Sequence, residues 1–111
     1  MKETDDVMCE SGVSVITPFL NEEDGILTFC QTIDDYAGSL PFPLELVFVD
    51  DGSTDGTVDK LLGYSFKRVQ SVKLICLSHN FGSHAAIRAG LTQATYDICT
   101  WMGADSASTR A

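Results

Sequence analysis

Four short apolar runs punctuate the chain: Val13–Phe19, Leu44–Val49, Val72–Leu77 and Tyr96–Met102. Each is rich in β-branched or aromatic residues, which fit a pleated, buried surface, so each predicts a strand. Between the runs the apolar spacing turns helical. Ile26, Leu27, Phe29, Cys30 and Ile33 form a stripe reaching about Tyr36, with Asn21 as the expected cap and Glu22-Glu23-Asp24 as early acids. Ser53 or Thr54 is the expected cap of a second helix that carries Val58, Leu61 and Leu62 on one face. Ser83 opens a third, whose small face of Ala85, Ala86, Ala89, Gly90 and Ala94 suits close packing on a sheet. Gly38–Pro43, Gly63–Ser71 and Ser78–Gly82 are the intervening loops.

The order β-α-β-α-β-α-β implies parallel strands joined by helical crossovers. With strand order 3-2-1-4, strands one and four flank the point where the sheet reverses its winding, and ligands of open α/β sheets bind there, beyond the strand ends. Two carboxylate positions fall at such ends. Leu46-Val-Phe-Val49 stops at Asp50-Asp51-Gly52-Ser53, and the fourth strand stops at Gly103-Ala104-Asp105. Adjacent acids at a buried strand end repel each other and are costly to desolvate, so a ligand or cation is the better reason for them. By position Asp51 suits a base or ribose, and Asp105 suits Mg²⁺ beside a diphosphate. Asp50 reads equally as a buried acid accepting backbone N–H groups. Asp55 reads as an acid at a helix N-terminus.

Charge narrows the partners. The 111 residues carry a formal net charge of −9, which argues against gripping a nucleic-acid backbone. Cys9, Cys30, Cys76 and Cys99 form no CxxC pair. They read as small buried hydrophobes, and neither a disulfide framework nor a zinc site is expected. No run approaches the roughly 20 apolar residues of a membrane span, and residues 1–12 read as a loose polar tail without a signal-peptide core. A cytoplasmic location is the expectation. His79 and His84 read as surface residues, Trp101 as core, and Arg88 as a salt-bridge partner. The closing Ser106-Ala-Ser-Thr-Arg-Ala111 reads as a truncated or altered terminus.

Several motifs are excluded by spelling. No G-x-G-x-x-G follows the first strand and no G-x-x-x-x-G-K-[ST] occurs. A receiver-like signalling domain would need an acid after the third strand, where Leu77-Ser78-His79-Asn80 stands. In Asp55-Gly56-Thr57 the position of a phosphatase nucleophile is Ser53, with no strand leading directly into it.

Three stretches, in order, resemble family 2 glycosyltransferases: Val15-Ile-Thr-Pro18-Phe-Leu-Asn21-Glu22, Val49-Asp50-Asp51-Gly-Ser-Thr-Asp-Gly-Thr57, and Leu77-Ser-His-Asn80-Phe-Gly82-Ser-His-Ala-Ala-Ile-Arg-Ala-Gly90-Leu. The Asn-Phe-Gly stretch is most similar to the branch that glycosylates dolichol phosphate or bactoprenol phosphate. The resemblance covers residues 13–105. It implies the parallel βαβαβαβ nucleotide-binding half of a GT-A, Rossmann-like fold, a three-layer α/β sandwich with strand order 3-2-1-4. It implies that Pro18, Leu20, Glu22, Val49, Asp51, Gly103, Ala104 and Asp105 line a nucleotide-sugar pocket. Gly103-Ala104-Asp105 stands where the family has Asp-Ala-Asp, so Asp105 is the residue left to hold Mg²⁺ or Mn²⁺. The implied reaction is inverting transfer of a hexose from a nucleotide-diphosphate sugar to a polyprenyl phosphate or another cell-envelope glycan, at the cytoplasmic face of a membrane. The catalytic residues of the acceptor half are not identified. Two alternatives stand beside this: a nucleotide-binding remnant without turnover, and the receiver-like domain. Self-association through an exposed edge of the sheet is a further expectation.

Overall fold

The computed structural model describes residues 12–104. Four strands, β1 (Val13–Phe19), β2 (Leu44–Asp50), β3 (Ser71–Cys76) and β4 (Ile98–Trp101), alternate with three helices, α1 (Ile26–Ala37), α2 (Thr57–Leu62) and α3 (Ser83–Gln93). All strand pairs are parallel, and the order is β3-β2-β1-β4. This is the α/β half-fold and the strand order expected from the sequence.

The two central strands are the apolar ones for a physical reason: a parallel sheet is covered on both faces, so its middle has no solvent side. Every residue of β2 is buried. On one face Val15, Phe19, Leu46 and Phe48 pack with Ile26 and Phe29 of α1 and Leu61 of α2. Phe48 is the centre of that layer, with the rings of Phe19, Phe29 and Phe66 all 6.1–6.2 Å away. On the other face Ile16, Val47 and Val49 meet Ala86 of α3. The expected small-residue contact is tight at Gly90, where a Cβ would stand 2.4 Å from Ile16 Cγ2. Alanine there has no room, so glycine sets how closely α3 lies on the sheet.

Two buried acids tie the layers together. Glu45, fully buried near the start of β2, accepts hydrogen bonds from Ser14 Oγ (2.7 Å), Thr95 N (2.8 Å), Thr95 Oγ1 (2.8 Å) and Ser71 Oγ (3.1 Å). Lys73 Nζ lies 3.2 Å from it. One side chain thus joins β1, β2, β3 and the turn before β4. Burial alone would raise its pKa, but these hydrogen bonds outweigh burial and bring it down to about 2. Asp34 on α1 accepts the backbone N–H groups of Lys67, Arg68 and Val69 at 2.8–3.1 Å. Burial again raises its pKa, and the three N–H bonds with the Arg68 charge more than offset it, leaving it lowered.

Some local expectations are corrected. Asn21 does not cap α1, and neither Ser53 nor Thr54 caps α2; Gly25 and Gly56 hold those positions without a side-chain bond. Leu62 is exposed, leaving Leu61 as the buried residue of α2. Trp101, expected in the core, is 60% exposed. Cys76 is exposed and Cys99 half-buried, because β3 and β4 are the outer strands of the sheet. Cys30 is buried, and burial, helped by Asp34, pushes its thiol up to about 12. Cys9 lies outside the described residues. Among those described, no helix is long and apolar enough to cross a membrane.

Candidate functional site: a cleft at the carboxyl ends of the strands

The site begins with the loops that leave β1 and β2. Asn21 adopts φ 53°, a left-handed conformation that asparagine tolerates better than most residues. From there its N–H donates to Ser53 Oγ (2.9 Å), and its Oδ1 accepts from Thr54 N (2.8 Å) and Asp55 N (3.3 Å). Glu23 Oε1 accepts from Gly56 N (3.1 Å), while Glu23 N donates to Asp55 Oδ2 (3.3 Å). The residues that read as helix caps therefore clasp one loop to the other. Asp55 also accepts from the Thr57 hydroxyl and, at 3.0 Å, from Thr57 N. The hydroxyl bond is the main cause of its lowered pKa.

The acid pair divides its work. Asp50 Oδ1 accepts from Ser53 N at 2.8 Å, turning the chain at the end of β2. Asp51 reaches the next loop: Oδ1 accepts from Phe81 N (2.8 Å) and Oδ2 from Gly82 N (3.0 Å). Its own N–H donates to Phe19 O at 2.9 Å. Both acids are more than nine-tenths buried. Gly52, at φ 91°, permits the approach, since a Cβ there would stand 3.0 Å from Asn80 N. His79 is exposed, its ring edge-on to Phe81 with centroids 5.7 Å apart. His84 and Arg88 are exposed on α3.

These loops enclose a cleft of about 360 Å³ between the ends of β1 and β4. Pro18, Leu20, Glu22, Asp51, Gly103 and Ala104 all line it, so the structure brings together most of the residues singled out from the sequence. Val49 is not among them: it is fully buried beneath α3. Asp105 lies outside the described residues. Phe19, Asn80, Gly82, Ser83 and Trp101 complete the lining. The sequence signal for them was the turn ahead of the third helix and an aromatic at a strand end.

Among the described residues no group of three or more His, Cys, Asp or Glu side chains assembles to hold a metal. In the cleft Gly103 brings no side-chain ligand, and the carboxylates of the described lining are Glu22 and Asp51, each oxygen of Asp51 accepting one N–H group. A larger concavity, about 620 Å³, lies at the opposite end of the sheet between the loops leading into β2 and β3. Lys67, Arg68 and Pro43 are in its wall and no acid is, so it belongs to different chemistry.

Comparison with known proteins agrees with this geometry. The model of glycosyl transferase family 2 matches residues 14–110. The chain belongs to that family. The match displaces the receiver-like alternative and makes the protein a transferase by family. An undecaprenyl-phosphate 4-deoxy-4-formamido-L-arabinose transferase of Serratia proteamaculans is 32% identical over 93 residues, 84% of this chain and 28% of the relative. A dodecaprenyl-phosphate galacturonate synthase of Rhizobium johnstonii is 30% identical over 105 residues, 95% of this chain and 31% of the relative. The crystal structure of S. aureus TarS superposes with a TM-score of 0.71 at 27% identity, covering 84% of this chain and 16% of that one. The chain thus spans under a third of the length of the curated relatives it matches.

Proposed function

We propose that the cleft binds the nucleotide-diphosphate part of a sugar donor, and that the protein of which these residues form the donor side transfers the sugar to a polyprenyl phosphate. The observation that carries the reading is the convergence of Pro18, Leu20, Glu22, Asp51, Gly103 and Ala104 on one cleft at the switch between β1 and β4. That is where open α/β sheets receive ligands. The acceptor follows from the names of the relatives, both of which carry prenyl phosphates.

Chemically, a phosphate oxygen of the acceptor attacks the anomeric carbon as the bond to the diphosphate breaks, and the nucleoside diphosphate departs. The acceptor oxygen is already anionic near neutral pH, so this attack needs no strong general base. The cleft residues supply position: apolar Pro18 and Leu20 offer a surface for a base. If Mg²⁺ or Mn²⁺ takes part, Asp105 and the diphosphate are its ligands, and such an ion would offset charge on the departing group.

Calorimetric titration of the 111-residue chain with UDP and GDP tests the reading. Saturable binding by at least one, with a matching rise in melting temperature, is the expected result. No binding of any nucleoside diphosphate would overturn it. A second reading, nucleotide binding without turnover, is favoured by Gly103, which stands in place of a metal-binding acid. An assay for sugar transfer to a short-chain polyprenyl phosphate separates the two.

A further inference from the structure

Among the described residues Asn21 is the single non-glycine residue with a positive φ, 53°. A side chain in that region carries a conformational cost, and a strained residue beside a ligand cleft points to function. Stability is a poor reason for it here. Asn21, Thr54 and Asp55 are all exposed, so water satisfies the Thr54 and Asp55 N–H groups if the Asn21 side chain is lost. What the conformation achieves is a connection between loops. Asn21 N–H donates to Ser53 Oγ, and Asn21 Oδ1 accepts from Thr54 N and Asp55 N. The residues on either side of Asn21 are Leu20 and Glu22, and both line the cleft. The segment that it grips begins two residues after Asp51, which lines the cleft as well. Asn21 and Ser53 themselves are outside the lining.

Resting on the donor-site reading, we infer that Asn21 is a positioning residue for the donor: its left-handed backbone and its side chain fix the distance between the Leu20–Glu22 wall and the Asp51 wall, and so the width of the slot that a base and its ribose enter. Both walls stand at the ends of β1 and β2. Gly103 and Ala104, past the end of β4, take no part in the clasp. The effect of opening it should therefore follow the nucleoside and not the number of phosphates.

The test is Asn21→Gly and Ser53→Ala in the 111-residue chain, which open the clasp from opposite loops. Glycine keeps the left-handed backbone accessible and removes the Oδ1 acceptor; alanine at position 53 removes the Oγ that receives Asn21 N–H. UMP, UDP, GMP and GDP are titrated into each protein, with amide hydrogen exchange and urea unfolding measured on the same samples. For the nucleotides that the unmutated chain binds, Asn21→Gly is expected to weaken affinity about tenfold and Ser53→Ala about threefold, in keeping with the bonds lost. The factor should be the same for a monophosphate and its diphosphate. The Thr54 and Asp55 amides should exchange faster in Asn21→Gly while the urea midpoint moves little. Unaltered affinity in either variant, a loss seen with the diphosphates alone, or a loss no larger than the fraction of chain unfolded would each overturn the positioning role. Failure of the unmutated chain to bind any of the four nucleotides would instead overturn the donor-site reading on which it rests.

Discussion

Strand β2 carries a buried acid near its start, and another follows directly after its end. Glu45 and Asp51 are both nearly inaccessible, yet they differ in what surrounds them. Glu45 gathers hydroxyls, one N–H and an ammonium from elements on three sides, and it is in the wall of neither concavity described. Asp51 gathers two N–H groups from a single turn and borders the cleft. Burial of a carboxylate therefore does not mark a site. What distinguishes the two is whether the groups that satisfy it belong to the core or to a wall that a ligand can touch.

Four experiments can break or sharpen this contrast. The largest effect is expected from Glu45→Ala, which leaves the Ser14, Ser71 and Thr95 donors unsatisfied. It should cost roughly 3 kcal/mol or more in urea unfolding, with nucleotide affinity of the folded fraction unchanged. Acid is a gentler probe of the same knot. The Glu45 pKa is lowered from 4.5 to about 2 in the folded chain. Its contribution is therefore fully present above the unfolded value and is lost as pH falls from 4.5 towards 2. The melting temperature should drop through that window, and the drop should be shallower in Glu45→Gln. Asp51→Asn should lower stability by only about 1–2 kcal/mol, with its main signature in ligand affinity. If it proves as destabilising as Glu45→Ala, the contrast fails. The smallest effect is expected at Thr17, whose hydroxyl is buried without a hydrogen-bond partner among the described residues. Thr17→Val should be neutral or slightly stabilising by melting, because no bond is lost.

The sheet was legible because its determinants are local. Runs such as Leu46–Val49 are apolar because both faces of β2 are covered, and the alternation with helical stripes dictates parallel strands. The meeting of Pro18, Asp51 and Ala104 was legible for the same reason: each lies at or just past a strand end. The knots were not legible. Glu45 is one acid in an apolar run, and its partners at Ser14, Ser71 and Thr95 lie 26–50 residues away. Asn21 looked like a cap because asparagine before a helix usually is one, but its oxygen meets a loop more than 30 residues on. Trp101 was misplaced because a strand end was read as a strand interior. On an outer strand that ends at the cleft, a large aromatic has open space beside it.

The clasp between Asn21-Glu22-Glu23 and Ser53–Gly56 bears on the thermodynamics of occupancy. Two loops left free in the empty protein would each lose backbone freedom when a ligand arrived, at roughly 1–2 kcal/mol for every residue fixed. Here that loss is incurred once, on folding, because Asn21 and Glu23 already hold the opposite loop. The rim is thus preorganised on this side of the cleft, and more of the contact energy with a guest survives as affinity. The opposing side, Asn80–Ser83, is tied to the rest of the cleft by the Asp51 carboxylate and otherwise by bonds within its own turn and to the start of α3. An arriving guest should therefore meet one stiff jaw and one compliant one.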